Sequence, residues 1–226
     1  MFERLTPLFT QEGIDHLKTQ TVAVIGCGGV GSYAVEALAR SGVGTLIIMD
    51  DDCIQPSNLN RQIIALHSTL GKKKVDVLKK RILDINPRCT VHAYAMRYGA
   101  STRKQLFTHT IDFLFDAVDD IDAKVDLAIT AHHYMIPFLT ATGAGNRMQA
   151  NQFTIKPLKN TTIDPLARKL RMRLRHEDAY HQIISIVSLE SPIKTQGMVA
   201  SNGFVPPSAG LLGASYIIKT LLEAKV

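Results

Sequence analysis

A chain of 226 residues, 46% hydrophobic and 20% charged, has an ordinary globular composition and the length for one substantial core. Its formal net charge of +6 and pI near 9.3 favour a polyanionic partner. Cys27, Cys53 and Cys89 include no C-x-x-C pair, which excludes a disulfide framework or structural zinc site within one chain; with neither a signal core nor an apolar run approaching ~20 residues, a cytoplasmic protein is expected.

Residues 21–25 form a short apolar run ending in Gly26-Cys27-Gly28-Gly29-Val30-Gly31, followed by an Ala/Leu-rich stretch to Arg40 and then Gly42. This pattern predicts strand, glycine turn, helix and helix stop. Residues 45–49 read as the next buried strand. Apolar Val75, Leu78 and Ile82 give residues 72–83 helical spacing before Asn86-Pro87 ends the segment. Further strands are expected at 90–95, 111–115 and 138–142, with helices near 102–107 and 123–134 between them. The alternation predicts a Rossmann-like, doubly wound α/β fold with a mostly parallel sheet covered by helices on both faces. Beyond Gly143-Ala144-Gly145 the pattern changes to a strand at 152–155, a basic helix, a polar loop and an apolar helix over 208–222. A nucleotide-binding part, 1–145, and a C-terminal strand and helix extension, 146–226, are therefore expected within one compact unit.

Gly26, Gly28 and Gly31 fit G-x-G-x-x-G in the context the fingerprint requires, directly after a strand and before a helix, with Gly29 in the same turn. Missing side chains let the backbone approach phosphates, and free amides with the helix dipole favour anions there. Asp50, at the end of the second strand, is placed to accept from ribose hydroxyls, and Asp52 lies beside it, a position that also suits a solvated neighbour. These residues alone suit NAD as well as ATP. A triphosphate needs more: fixed cations and an oxygen ligand for magnesium. Asn58, Arg61 and Gln62 in S-N-L-N-R-Q, Lys74 in G-K-K-K-V and Asp119 in D-A-V-D-D supply those parts. Asp120 reads as a solvated neighbour, Lys72 and Lys73 as surface lysines, and Cys27 as a packing residue.

Residues 147–176 carry Arg147, Lys156, Lys159, Arg168, Lys169, Arg171, Arg173 and Arg175 against the single acid Asp164. Asp164 is a natural N-cap with Pro165 at the first helical position. Leu166, Leu170 and Leu174 form one stripe, expected to pack inward or at a dimer interface. Arg168, Arg171 and Arg175 form another, expected with Arg147 to face phosphates.

From residue 21 to residue 145 the sequence resembles the ThiF/MoeB/E1 superfamily, whose pattern is G-x-G-G-x-G, an Asp ending the second strand, N-x-x-R-Q, a Lys, and D-x-x-D with a basic residue a few positions on. The resemblance implies that Asp50 holds ribose, that Asn58, Arg61 and Lys74 hold the phosphates, that Asp119 holds magnesium, and that Lys124 is the following basic residue. Phe2 and Arg4 in F-x-R, I-N-P-R-C, T-G-A-G-N-R and D-P-L-A-R-K-L-R are similar to the tRNA threonylcarbamoyladenosine dehydratase (TcdA/CsdL) branch over nearly the whole chain. That branch implies ATP-dependent cyclisation of N6-threonylcarbamoyladenosine at position 37 of tRNA by carboxylate adenylation, a homodimer in which Arg4 reaches the partner's ATP site, and sometimes a sulfur-transfer partner protein. Thr10 stands where members often have glycine. The alternative within the superfamily is adenylation of the C-terminus of a ubiquitin-like sulfur carrier, but nothing after Cys89 could serve as zinc ligand or thioester nucleophile.

Overall fold

The structure, a computed structural model, describes residues 2–224. Helix α1 (Thr6–Leu17) precedes β1 (Thr21–Ile25), α2 (Gly31–Arg40), β2 (Thr45–Met49), α3 (Lys74–Ile85), β3 (Thr90–Tyr94), α4 (Arg103–Leu106), β4 (Phe113–Asp116), α5 (Ile121–His133) and β5 (Phe138–Ala141). The remainder comprises β6 (Phe153–Pro157), α6 (Pro165–Leu174), β7 (Ile184–Ser188) and α7 (Val205–Glu223). One seven-stranded sheet runs in the order β3-β2-β1-β4-β5-β7-β6, parallel except for the edge strand β6.

Strand β1, T-V-A-V-I, is buried on both faces, which is why it has no polar alternation. Its side chains alternate all the same: Val22 and Val24 enter the core under α2, α3 and α7, while Ala23 and Ile25 enter the opposite core with Leu127 and Ala131 of α5. A third cluster docks α6 on α5 through Ala167, Leu170 and Leu174 with Ala128. Leu170 and Leu174 are fully buried and contribute roughly 1.5–3 kcal/mol each by area.

Residues 184–188 correct the expected polar loop. They form β7, inserted between β5 and β6, so the C-terminal extension completes the same sheet as the nucleotide-binding part. The run I-S-I-V-S looks polar because of its serines, yet Ser185 and Ser188 are both fully buried, and Ser185 Oγ donates to Lys156 O at 3.0 Å. Helix α7 starts earlier than position 208 because Pro206 and Pro207 occupy its first turn, where no backbone donor is needed. Thr10 has φ 61° and ψ 160°, a left-handed conformation that favours glycine, and it kinks α1 there.

Candidate active site

The strand order reverses between β1 and β4, and the cleft opens at the C-terminal ends of those strands, as expected for a doubly wound sheet. It holds about 700 Å³ and is lined by the glycine turn, by Asp50, Asp52, Asn58, Arg61, Gln62, Lys74 and Asp119, and by residues 141–145. The scattered candidates for the nucleotide therefore converge on one space.

Two glycines are required by the turn itself. Gly26 has φ 91°, and a β-carbon on Gly31 would meet Gly26 O at 1.8 Å, so only glycine lets α2 start against the end of β1. Gly28 differs, because a β-carbon there would meet only Gln62 Nε2, at 3.8 Å, and would otherwise occupy the open cleft. Asp50 accepts Cys27 N–H at 2.7 Å and Asp52 N–H at 2.9 Å. Burial pushes its carboxyl above the usual range, an effect that Lys74 and the two amides only partly offset. Lys74, 4% exposed, reaches Asp52 at 2.6 Å and Asp50 at 3.7 Å.

On the other wall Arg61 donates to Ser57 O at 2.7 Å and to Asn60 Oδ1 at 2.9 Å. Asn58 is buried and accepts the Gln55 N–H at 3.0 Å, fixing the turn that carries Arg61. Gln62 is also buried, and its Oε1 has no hydrogen-bond partner, the single such side-chain atom among the described residues. An unpaired acceptor beside the cleft calls for a donor from a ligand or water. Asp119 is exposed at the rim. Asp50, Asp51 and Asp52 offer carboxylate oxygens within 4.8 Å of one another, so the acidic lining includes more than Asp119.

Residues 2–225 match the ThiF family. The chain belongs to the ThiF family. A tRNA threonylcarbamoyladenosine dehydratase of Bacillus subtilis is 39% identical over 98% of this chain and 94% of its own length. The crystal structure of the E. coli tRNA N6-threonylcarbamoyladenosine dehydratase in complex with ATP superposes with a TM-score of 0.93 at 28% identity, covering 99% of this chain and 94% of that one. A molybdopterin-synthase adenylyltransferase of Haemophilus influenzae is 27% identical over 68% of the chain.

Within this ThiF-family chain several sequence expectations need correction. Arg147 is not on the basic surface: it is 3% exposed, donates to Gly143 O at 2.9 Å and pairs with the buried Asp164 at 2.5 Å. Its charge is spent inside the fold. Leu166 leaves the leucine stripe and lines the cleft, because the helix starts there. Arg168 and Arg175 are exposed, whereas Arg171 is half-buried with its guanidinium on Thr161 Oγ1. Lys124, the basic residue that follows Asp119 in the family pattern, is fully buried, 3.0 Å from Asp116 and 2.7 Å from Ala141 O, and is not part of the cleft lining. Asp120 is the N-cap of α5, accepting from Asp122 N at 2.8 Å and Ala123 N at 3.1 Å, and is more than a solvated neighbour. Arg4 is exposed and outside the lining of its own chain's cleft. Tyr98, Val199 and Ser201, which line the cleft, belong to no motif read from the sequence.

Proposed function

We propose that this chain is an ATP-dependent tRNA threonylcarbamoyladenosine dehydratase that adenylates the threonine carboxylate of the modified adenosine and lets the modification close on itself. The observation that carries the reading is the position of Leu166: the arginine-bearing helix α6 begins at the wall of the cleft that the glycine turn floors. A phosphate backbone held along α6 would deliver one nucleoside to that opening. The Bacillus subtilis relative named for this activity matches over 98% of the chain, whereas the molybdopterin-synthase adenylyltransferase of Haemophilus influenzae matches over 68%.

In this reaction the carboxylate attacks the α-phosphate of ATP, giving an acyl-adenylate and pyrophosphate. An internal nitrogen or oxygen of the same modification then displaces AMP and closes a ring, with net loss of water. High effective molarity makes a protein nucleophile unnecessary. Such a role would in any case suit Cys27 and Cys89 poorly, since burial raises the thiol of Cys27 well above its usual range and pushes that of Cys89 up to about 11. Gly28 leaves room for the phosphates, Arg61 and Lys74 draw charge from them, Asp50 accepts from the ribose, and Asn58 and Gln62 hold the turn against the nucleotide. The hard carboxylate oxygens of Asp119 and of Asp50, Asp51 and Asp52 line the same cleft and fit magnesium, which Asp119 would hold and which would supply polarisation of the attacked phosphate.

A homodimer is part of the reading. Leu8, 78% exposed, and Leu211, 50% exposed, border an apolar groove of about 610 Å³ between α1, α2 and α7, a face that a second copy of the chain would cover. The cytoplasm is the compartment where such a tRNA enzyme works, and no helix among the described residues is long and apolar enough to cross a membrane. Deleting the gene in its host should remove the cyclised adenosine from digested tRNA, measured by nucleoside mass spectrometry. An unchanged nucleoside profile rejects the assignment.

A further inference from the structure

A buried ion pair gains little over well-packed apolar side chains, because desolvation offsets the attraction. What the Arg147–Asp164 pair joins is therefore informative. Arg147 Nε donates to Gly143 O at 2.9 Å, another nitrogen donates to Glu190 O, and Nη2 donates to Asp164 Oδ2 at 2.5 Å. The other oxygen of Asp164 caps α6, accepting the Ala167 N–H at 2.8 Å. Asn202 Nδ2 donates to Arg147 O at 2.9 Å, while Asn202 Oδ1 accepts the Val205 N–H at 2.8 Å where α7 begins. Even the glycine at 143 fits this arrangement, since a β-carbon there would lie 3.0 Å from Asp164 Oδ2. One rigid fork thus holds, on one side, backbone that borders the nucleotide cleft and, on the other, the first turn of the basic helix.

We infer that Arg147 and Asp164 are positioning residues that couple RNA engagement along α6 to the geometry of the nucleotide cleft. The inference rests on the dehydratase reading above. A small displacement of the α6 N-terminus moves the Asp164 carboxylate, and the planar guanidinium transmits that displacement to the Gly143 carbonyl. Linkage is reciprocal, so a nucleotide that fixes residues 143–145 presets α6 for RNA.

The test measures equilibrium binding of tRNA bearing threonylcarbamoyladenosine with and without a non-hydrolysable ATP analogue. In the wild-type chain each ligand should tighten the other by about five-fold or more. Asp164→Asn keeps the helix cap, since Asn caps as well as Asp, but removes the ion pair. In that variant, and in Arg147→Lys, the coupling factor should fall to within about two-fold of one while the affinity for each ligand alone stays within about three-fold. Melting curves establish that the variants are folded at the assay temperature. A wild-type coupling factor of one overturns the inference whatever the variants do. So does a folded Asp164→Asn chain that keeps full coupling or loses both single-ligand affinities. Cyclised product is scored separately: a wild-type chain that cyclises without coupling keeps the dehydratase reading and loses only this inference, whereas one that neither binds tRNA nor cyclises it loses both.

Discussion

Lys74 Nζ lies 2.6 Å from the carboxylate of Asp52 and 3.7 Å from that of Asp50, yet the residue is only 4% exposed. A buried ammonium held by acids on one side and facing a cleft on the other is set to meet phosphate without reorganising. Lys74→Ala should lower ATP-dependent turnover by about 10²–10³-fold, the scale seen when one preorganised charge donor is removed. Lys74→Arg should not restore it, because a fork does not fit the point contact that Lys74 makes. Pyrophosphate exchange and ATP titration measure both variants. An alanine variant with unchanged ATP affinity would remove the lysine from the phosphate site.

Gly28 and Gly31 belong to one motif but answer to different constraints. A β-carbon on Gly31 would lie 1.8 Å from Gly26 O, so Gly31→Ala must push α2 away from β1, at a cost of about 3 kcal/mol or more. On Gly28 it would approach only Gln62 Nε2, at 3.8 Å, so Gly28→Ala should fold with stability within about 0.5 kcal/mol of the parent. The methyl would nevertheless stand in the cleft, and ATP affinity should fall about tenfold or more. Urea unfolding and calorimetric titration separate the effects; equal destabilisation by both substitutions would contradict this division of roles.

Burial raises the Asp50 carboxyl, with attraction to Lys74 and the Cys27 and Asp52 amides opposing it incompletely. The folded pKa therefore lies above the unfolded one. Stability from this group is fully present below the unfolded pKa and is lost as pH rises through the folded pKa. ATP affinity runs the other way, because the ribose hydroxyls need a carboxylate acceptor. As pH falls, ATP binding should weaken at a higher pH than an ordinary aspartate would allow, and Asp50→Asn should flatten that dependence. Titrations at falling pH, in parent and variant, check the sign.

Much of this arrangement is legible in the sequence because local chemistry dictates it. The glycine turn declares itself, since Gly26 takes a positive φ and Gly31 packs on the Gly26 carbonyl five residues before it, and Asp164-Pro165 announces the start of α6. Strand β7 escapes because two of its five residues are serines although the strand is almost wholly buried, and the carbonyl that Ser185 meets, Lys156 O, is distant in the chain. Arg147 escapes for the converse reason: an arginine among arginines reads as surface, and only the fold brings Asp164 to within 2.5 Å. Val199 and Ser201 carry no signature at all, because their place in the cleft follows from how residues 189–204 return across it.

The arginines of α6 now divide by their surroundings. Arg168 and Arg175 are exposed, Arg173 is partly neutralised by Asp122 at 2.8 Å, and Arg171 is anchored to Thr161. The helix itself is held by Leu170 and Leu174, so removing surface charge should not undock it. Arg168→Ala and Arg175→Ala should therefore each weaken tRNA binding and lower the salt slope of log Kd by about one, while ATP affinity and melting temperature stay unchanged. Arg147→Ala should behave oppositely, costing about 3–5 kcal/mol of stability by stranding the buried Asp164. Filter binding over a salt series, beside thermal melts, reads both outcomes. A salt slope indifferent to Arg168 and Arg175 would move the RNA to another face, since phosphates bound along α6 must release counterions when they meet those two guanidinium groups.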